Sequence, residues 1–488
     1  MPDEHDDAKA RHRAATARDG AGDRAGRRDL SGSGGSDIER AGGRSLRLSS
    51  FRGRFWPLAY NALVVPAARI ALAGLARVQP KLARGIEARR GLEQRWSEAA
   101  LRTAGRHPRI WIHAASAGET LQARPLGDAV RAAHPDGALF YSYFSPSAER
   151  MVASWKAPDA ADYLPFDWPA AMRAQVESLD PDAIVLVAGE LWPNLIWTAA
   201  DRGIPLAQAC GRLAGGSARM ERTARALTAR LYREFRAIGA VTEEDAELLI
   251  GMGISRDAVA VTGDTRIDVS LSRVEEAAAL PPPWQPPAGA GPIVVAGSTW
   301  PADEAVVLPA VARLRVRHPG LVAIIVPHEP SESAVERIAR RAGESGLGAR
   351  RIGAGATAAA VADGDRAPEV VIVDRMGLLY RLYRLADVAY VGGGFGGSVH
   401  NTVEPAAHGV PVAVGPDHGE PAEVGALERD GGLVTVATAS ALAERWGAWL
   451  EDPAARQRAG AAARAAIESA RGATERTLAF FRDRGLPV

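Results

Sequence analysis

Apolar runs of strand length, each followed by a helical pattern, recur along this chain in two blocks, with a proline-rich stretch between them. In the first block the strand candidates are 109–115, 138–144, 183–188, 205–210 and 237–242, with amphipathic stretches such as 120–134 and 216–235 between them. In the second they are 293–297, 321–326, 370–373, 387–392 and 411–415, with helices expected over 303–317, 331–345 and 401–408. A strand that alternates with a helix pairs in parallel with the next strand, and the helices cover both faces of the sheet. The separator, 281–292, is stiff and poor in backbone donors because of its prolines. The expected fold is therefore α/β, with two Rossmann-like, doubly wound domains. Ligands in such sheets bind outside the carboxyl ends of the strands, so a cleft is expected where the two domains face each other.

The flanks divide the rest of the chain. Residues 1–48 are charged, rich in Gly and Ser and poor in large apolar side chains, so they are expected to be disordered. From 51 to 85 a helix region follows, with an apolar stretch from Phe55 to Leu75 that approaches the roughly 20 residues of a membrane span. Pro66 and Arg69 interrupt it, and Arg52, Arg54, Arg77, Lys81 and Arg84 flank it. A helix lying on a membrane surface suits that pattern better than a span, and packing on the first domain is the plain alternative. The expected domains are 86–278 and 293–470, with a linker over 279–292. The helix of 471–488 is expected to pack back towards the first domain. The stretch 354–364 reads as an exposed loop. The 59 basic and 58 acidic side chains leave a net charge of +1, which gives no electrostatic reason to expect nucleic acid. The lone Cys210 excludes an internal disulfide or a Cys-based zinc site and reads as a small core side chain.

Chemistry-bearing residues collect at the strand ends. Ser116-Ala117-Gly118-Glu119 follows the first strand, where small residues admit a ligand to the backbone and the helix start favours an anion. Glu119 is either a functional carboxylate or a helix-start charge, and the same choice holds for Glu190 after the third strand. Arg266, in Gly263-Asp264-Thr265-Arg266, either neutralises a phosphate or carboxylate of a substrate or caps a surface turn. In the second block Ser298 ends a strand where backbone N–H groups could cradle phosphate. His328 either contacts a nucleobase or is structural. Met376-Gly377-Leu378 ends another strand. Gly392 to Gly397 is a glycine run, followed by His400-Asn401-Thr402-Val403-Glu404. Asn401 suits a helix cap and Glu404 suits a pair of ribose hydroxyls.

Taken in chain order, these motifs resemble those of the 3-deoxy-D-manno-octulosonic acid (Kdo) transferases. The resemblance runs from about Phe55 to the C-terminus. It includes Trp111 to Glu119, Glu190 to Asn194, Gly263 to Asp268, Ala296 to Thr299, Val326 to Glu329, Gly377 to Tyr380, Ala386 to Gly393 and His400 to Ala406. It implies the GT-B glycosyltransferase fold and transfer of Kdo from CMP-Kdo to a lipid A precursor, with inversion. It implies no metal or other cofactor, and a place on the cytoplasmic face of the inner membrane. By position, Glu119 matches the family's catalytic base, and Glu190 and Arg266 its supporting catalytic residues. Pro327, His328, Met376, Gly377, Leu378, Asn401, Thr402, Val403 and Glu404 match its CMP-binding positions, and Ser116, Gly118 and Ser298 fall on the acceptor and phosphate side. Many members have Asn and Lys where this chain has Asp264 and Arg266, and Arg where it has His328.

Overall fold

Both blocks fold as seven-stranded parallel sheets in the computed structural model, which describes residues 51–213, 222–287, 289–352, 368–419 and 421–488. The expectations for 1–48 and 354–364 fall outside the described residues. The first sheet contains β1 (Arg109–His113), β2 (Ala138–Tyr143), β3 (Ala160–Tyr163), β4 (Ala183–Val187), β5 (Leu206–Gly211), β6 (Phe235–Ala240) and β7 (Val259–Val261), in the order β3-β2-β1-β4-β5-β6-β7. The second contains β8 (Ile293–Thr299), β9 (Val322–Pro327), β10 (Ala349–Ile352), β11 (Val370–Val373), β12 (Val388–Val391), β13 (Val412–Val414) and β14 (Leu433–Thr435), in the order β10-β11-β9-β8-β12-β13-β14. In both sheets the order reverses beside the first strand, and that switch point opens a crevice for ligands.

Continuous apolar runs form the central strands because each strand is covered on both faces. In β8, Val295 faces one core cluster of the second domain, while Val294 and Ala296 face the other. This is the two-residue alternation of a pleated strand.

Two segments pack differently from the expected domain boundaries. The helix Arg266–Ala279 lies inside the expected first domain, yet its Ile267 and Leu271 belong to a core of the second. Trp284, within the expected linker, is buried in the same core. The chain therefore enters the second domain near Thr265, and 281–292 is partly docked on that domain rather than being a free spacer. At the other end, Leu478 and Phe481 of the helix Ala473–Asp483 are buried in the core of the first domain. The two crossings are tied together. Asp268 accepts hydrogen bonds from the N–H groups of Gly472 (2.7 Å) and Thr474 (2.8 Å) and from the Thr474 hydroxyl (2.7 Å). A carboxylate from one crossing thus caps the helix of the other, satisfying N–H groups that have no partner within that helix.

A helix Phe55–Leu75 precedes the first sheet, with a π-helical turn at Tyr60–Val64. Its apolar side chains are largely exposed, Phe55 by 61% and Ile70 by 76%. Its polar face is held by the first domain through a reciprocal amide pair between Asn61 and Asn194, both bonds 2.9 Å.

Candidate functional site

The carboxyl ends of the two sheets enclose a cavity of about 1080 Å³. From the first domain and its exit come Gly118, Gly189, Arg212, Arg266 and Arg273. From the second come Ser298, Pro327, His328, Met376, Gly377, His400, Asn401, Val403, Glu404 and Glu423. A cavity of this size, walled by two domains and set with a few converging charged groups, suits a large polar ligand.

Most of the residues singled out from sequence meet here, though several do so differently from expectation. Leu378 packs against the second core instead of the cavity. The Thr402 side chain is buried, with its hydroxyl unpartnered, because the helix that starts at Val403 turns it inwards. Ser116 uses its carbonyl to accept hydrogen bonds from the Thr120 N–H and hydroxyl, and lies outside the lining. Glu119 and Glu190 also stand outside the lining, whereas their neighbours Gly118 and Gly189 are part of it. One oxygen of Glu119 accepts the N–H groups of Ala115 (2.7 Å) and Ser116 (2.9 Å). The glycine run serves packing as much as ligand approach. Gly393 has φ +100° and donates its N–H to the buried Asp303, and a Cβ on Gly392 would overlap the Ser298 backbone.

Electrostatics separate the two walls. Arg266 forms a forked ion pair with Asp264, with Nε 2.9 Å and a terminal nitrogen 2.6 Å from the same oxygen. The same terminal nitrogen lies 3.8 Å from Glu423 of the second domain. Burial disfavours its charge, but Asp264 outweighs that and holds the guanidinium above its usual range. Glu404 is 7% exposed, and burial pushes its carboxyl up to about 7 against the pull of Arg273, 3.7 Å away. Asn401 ties the glycine-run loop to the helix Arg266–Ala279, donating to Ser270 (3.2 Å) and accepting the N–H of Val403 (3.0 Å).

The rings of His328 and His400 stack at 4.1 Å, with Trp300 4.7 Å from His328 and donating its indole N–H to His400 (2.9 Å). Burial pulls His400 down to about 4, reinforced by His328, and burial also lowers His328. This corner therefore offers flat neutral rings where a fixed cation would otherwise stand. Among the described residues no group of three or more His, Cys, Asp or Glu is arranged to hold a metal ion.

Sequence reasoning missed Arg273 and Glu423. For Arg273 a signal existed, since it lies seven residues after Arg266, two helical turns along one face. Glu423 begins the helix Ala422–Arg429 after β13, a strand end that carried no recognisable motif.

Comparison with known proteins agrees with this arrangement. Residues 85–269 match the family described as 3-Deoxy-D-manno-octulosonic-acid transferase (kdotransferase). The 3-deoxy-D-manno-octulosonic acid transferase of Bordetella pertussis is 30% identical over 391 residues, covering 77% of this chain and 87% of the relative. The enzyme of the same name from Haemophilus influenzae is 27% identical over 385 residues, covering 76% and 85%. The crystal structure of UDP-GlcNAc 2-epimerase from Neisseria meningitidis bound to UDP-GlcNAc superposes with a TM-score of 0.56 at 15% identity. It covers 77% of this chain and 99% of that one, a likeness of fold alone. The two facing sheets are those of the GT-B fold. With similarity of this extent to the Bordetella protein, the chain belongs to the 3-deoxy-D-manno-octulosonic acid transferase family.

Proposed function

We propose that this chain transfers Kdo from CMP-Kdo to a lipid A precursor in lipopolysaccharide biosynthesis, on the cytoplasmic face of the inner membrane. The observation that carries the reading is the cavity between the domains, which Glu404, Asn401, Arg266 and Arg273 all line. In the proposal Glu404 accepts the ribose hydroxyls of CMP. Arg266, Arg273 and Arg212 hold the phosphate and the Kdo carboxylate, where oriented cations stabilise developing charge best. His328 and His400 are uncharged in this scheme and contact the nucleotide by their faces.

Glu119 is the proposed general base. It removes the proton of the acceptor sugar hydroxyl as that oxygen attacks the anomeric carbon, and CMP leaves from the opposite face. To do so its carboxylate must present an oxygen to the cavity beside Gly118. General-base help of this kind contributes about 10²–10⁴-fold. Glu190, on the neighbouring loop, supports the same side. No step calls for a metal. The exposed apolar helix Phe55–Leu75, with Arg77, Lys81 and Arg84 after it, supports contact with an anionic membrane surface.

The test is one incubation with a CMP-Kdo generating system and a lipid IVA-type acceptor, read by mass. Gains of whole Kdo units are expected, and Glu119→Gln should abolish them while CMP-Kdo still binds. Turnover with a UDP- or GDP-sugar and none with CMP-Kdo would overturn the donor assignment. Near-normal turnover by Glu119→Gln would remove Glu119 from the base role.

A further inference from the structure

Asp167 lies between β3 and the helix Pro169–Leu179 and is 7% exposed. Its carboxylate accepts the N–H groups of Asn194 (3.2 and 3.1 Å) and Leu195 (3.3 Å), the first turn of the helix Pro193–Asp201. Its backbone carbonyl accepts the Asn194 side-chain amide at 2.6 Å. That helix start is the end of the loop carrying Glu190. The loop is itself constrained, because Ala188 has φ +64° and its carbonyl is held by the Gln208 amide at 2.5 Å.

The same carboxylate takes a second set of contacts from the apolar helix. The Tyr60 hydroxyl lies close to it. The next residue, Asn61, exchanges amide hydrogen bonds with Asn194, and the Tyr60 ring meets Trp197 edge-on at 5.7 Å. At the residue after Asp167, Arg69 sits over the Trp168 ring at 4.8 Å. Tyr60 and Asn61 open the π-helical turn, whose widened backbone presents both to the domain; such turns concentrate at functional sites. Val65 is also buried and Trp56 packs against the first core, while Phe55, Leu58, Leu63, Val64, Ile70 and Leu75 are exposed.

We infer that Asp167 is a positioning residue that couples the bilayer-facing helix to the loop carrying Glu190. The inference rests on the membrane-surface reading above and deepens it. The helix does more than tether the enzyme: through Asp167 and Asn194 its seat fixes where the helix Pro193–Asp201 begins, and so fixes the acceptor side of the cavity relative to the lipid surface. The donor wall, built from the second domain, makes no use of this contact. Small misplacements of reacting groups cost about a hundredfold in rate. A break in the coupling therefore reads out in acceptor turnover.

The experiment uses the full chain, its Asp167→Asn variant and its Asn61→Ala variant. Transfer is measured with acceptor embedded in vesicles of equal parts phosphatidylcholine and phosphatidylglycerol, and with the same acceptor dispersed in detergent. The wild type should sediment with the vesicles. Both variants should lose about tenfold to a hundredfold in kcat on vesicles. Both should keep the wild-type KM for CMP-Kdo and near-wild-type kcat on dispersed acceptor. Equal loss on both acceptors, a raised KM for CMP-Kdo, or no loss on vesicles would each overturn the inference. Asn61→Ala leaves Asp167 and the helix start intact, so it tests the coupling even if Asp167→Asn folds poorly. Failure of the wild type to sediment with vesicles takes down the membrane reading, and the inference with it, before either variant is assayed.

Discussion

Substitution of Glu404 by glutamine tests the donor wall most sharply, because its carboxyl titrates near neutrality. Burial moves it from an ordinary 4.5 to about 7, with Arg273 pulling the other way. That displacement corresponds to about 3 kcal/mol of preference for the neutral form. The sign follows from proton binding. Between the two values the folded protein holds a proton that the unfolded chain has released, so the stabilisation is complete below 4.5 and is lost as pH rises through 7. Stability should fall by about 2–3 kcal/mol between about pH 5 and about pH 8, and Glu404→Gln should remove that slope. In the proposed donor site ligand binding runs the other way, since ribose hydroxyls would bond to the carboxylate. The ionised fraction rises from about one-tenth at pH 6 to about nine-tenths at pH 8, so affinity for cytidine should rise about tenfold. Cytidine is the suitable titrant because its own charge is constant over this window. His400, pulled down to about 4, is already neutral between pH 6 and pH 8, and burial lowers His328 as well. Calorimetric titration at the two pH values, on wild type and Glu404→Gln, makes the measurement. A pH-independent wild-type affinity, or a variant that keeps the wild-type slope, refutes the reasoning.

Two other substitutions test how the site is held. A Cβ at Gly297 would overlap the Tyr383 hydroxyl and lie 2.7 Å from both terminal carbons of Leu379, a cavity residue. Gly297→Ala should cost about 1–3 kcal/mol by overpacking. The Tyr383 hydroxyl is buried without a partner, so adding Tyr383→Phe should recover part of that loss in a denaturant titration. Asp268→Ala removes three hydrogen bonds to the start of the C-terminal helix and should cost about 1–2 kcal/mol, with exchange of the amides at 473–483 accelerating first.

The strands that were legible in the sequence and those that were not divide by position in the sheets. The ten strands expected from apolar runs are the ten interior strands. The four that were missed, β3, β7, β10 and β14, are the four edges. An interior parallel strand is covered on both faces and on both sides, so nearly every residue must be apolar. An edge strand is short and mixed: β10 reads Ala-Arg-Arg-Ile and β3 reads Ala-Ala-Asp-Tyr. Its residues meet solvent along one side, and the period-two signal is lost. The site shows the same contrast. Residues at strand ends were recognisable because the fold brings those ends together. Arg273 reaches the cavity by the packing of the helix Arg266–Ala279 on the second domain, which a boundary drawn at the prolines hid, and Glu423 reaches it from the start of the helix Ala422–Arg429, which no motif marked. The proline stretch looked like a joint from its composition, yet the burial of Trp284 docks it on one domain.

A body joined to another by one covalent crossing can swing and twist. Joined by two, it can turn only about the line through both. Here the crossings near Thr265 and Gly472 are stitched side by side by Asp268, and the Thr477 hydroxyl donates to that of Thr262 (2.9 Å). The lobes therefore share one axis, and opening and shutting become travel along a single arc. The contact between Arg266 and Glu423 lies close to that axis, where displacement is smallest. Glu404 and Gly118 lie on opposite leaves, where the same rotation sets the width of the cavity.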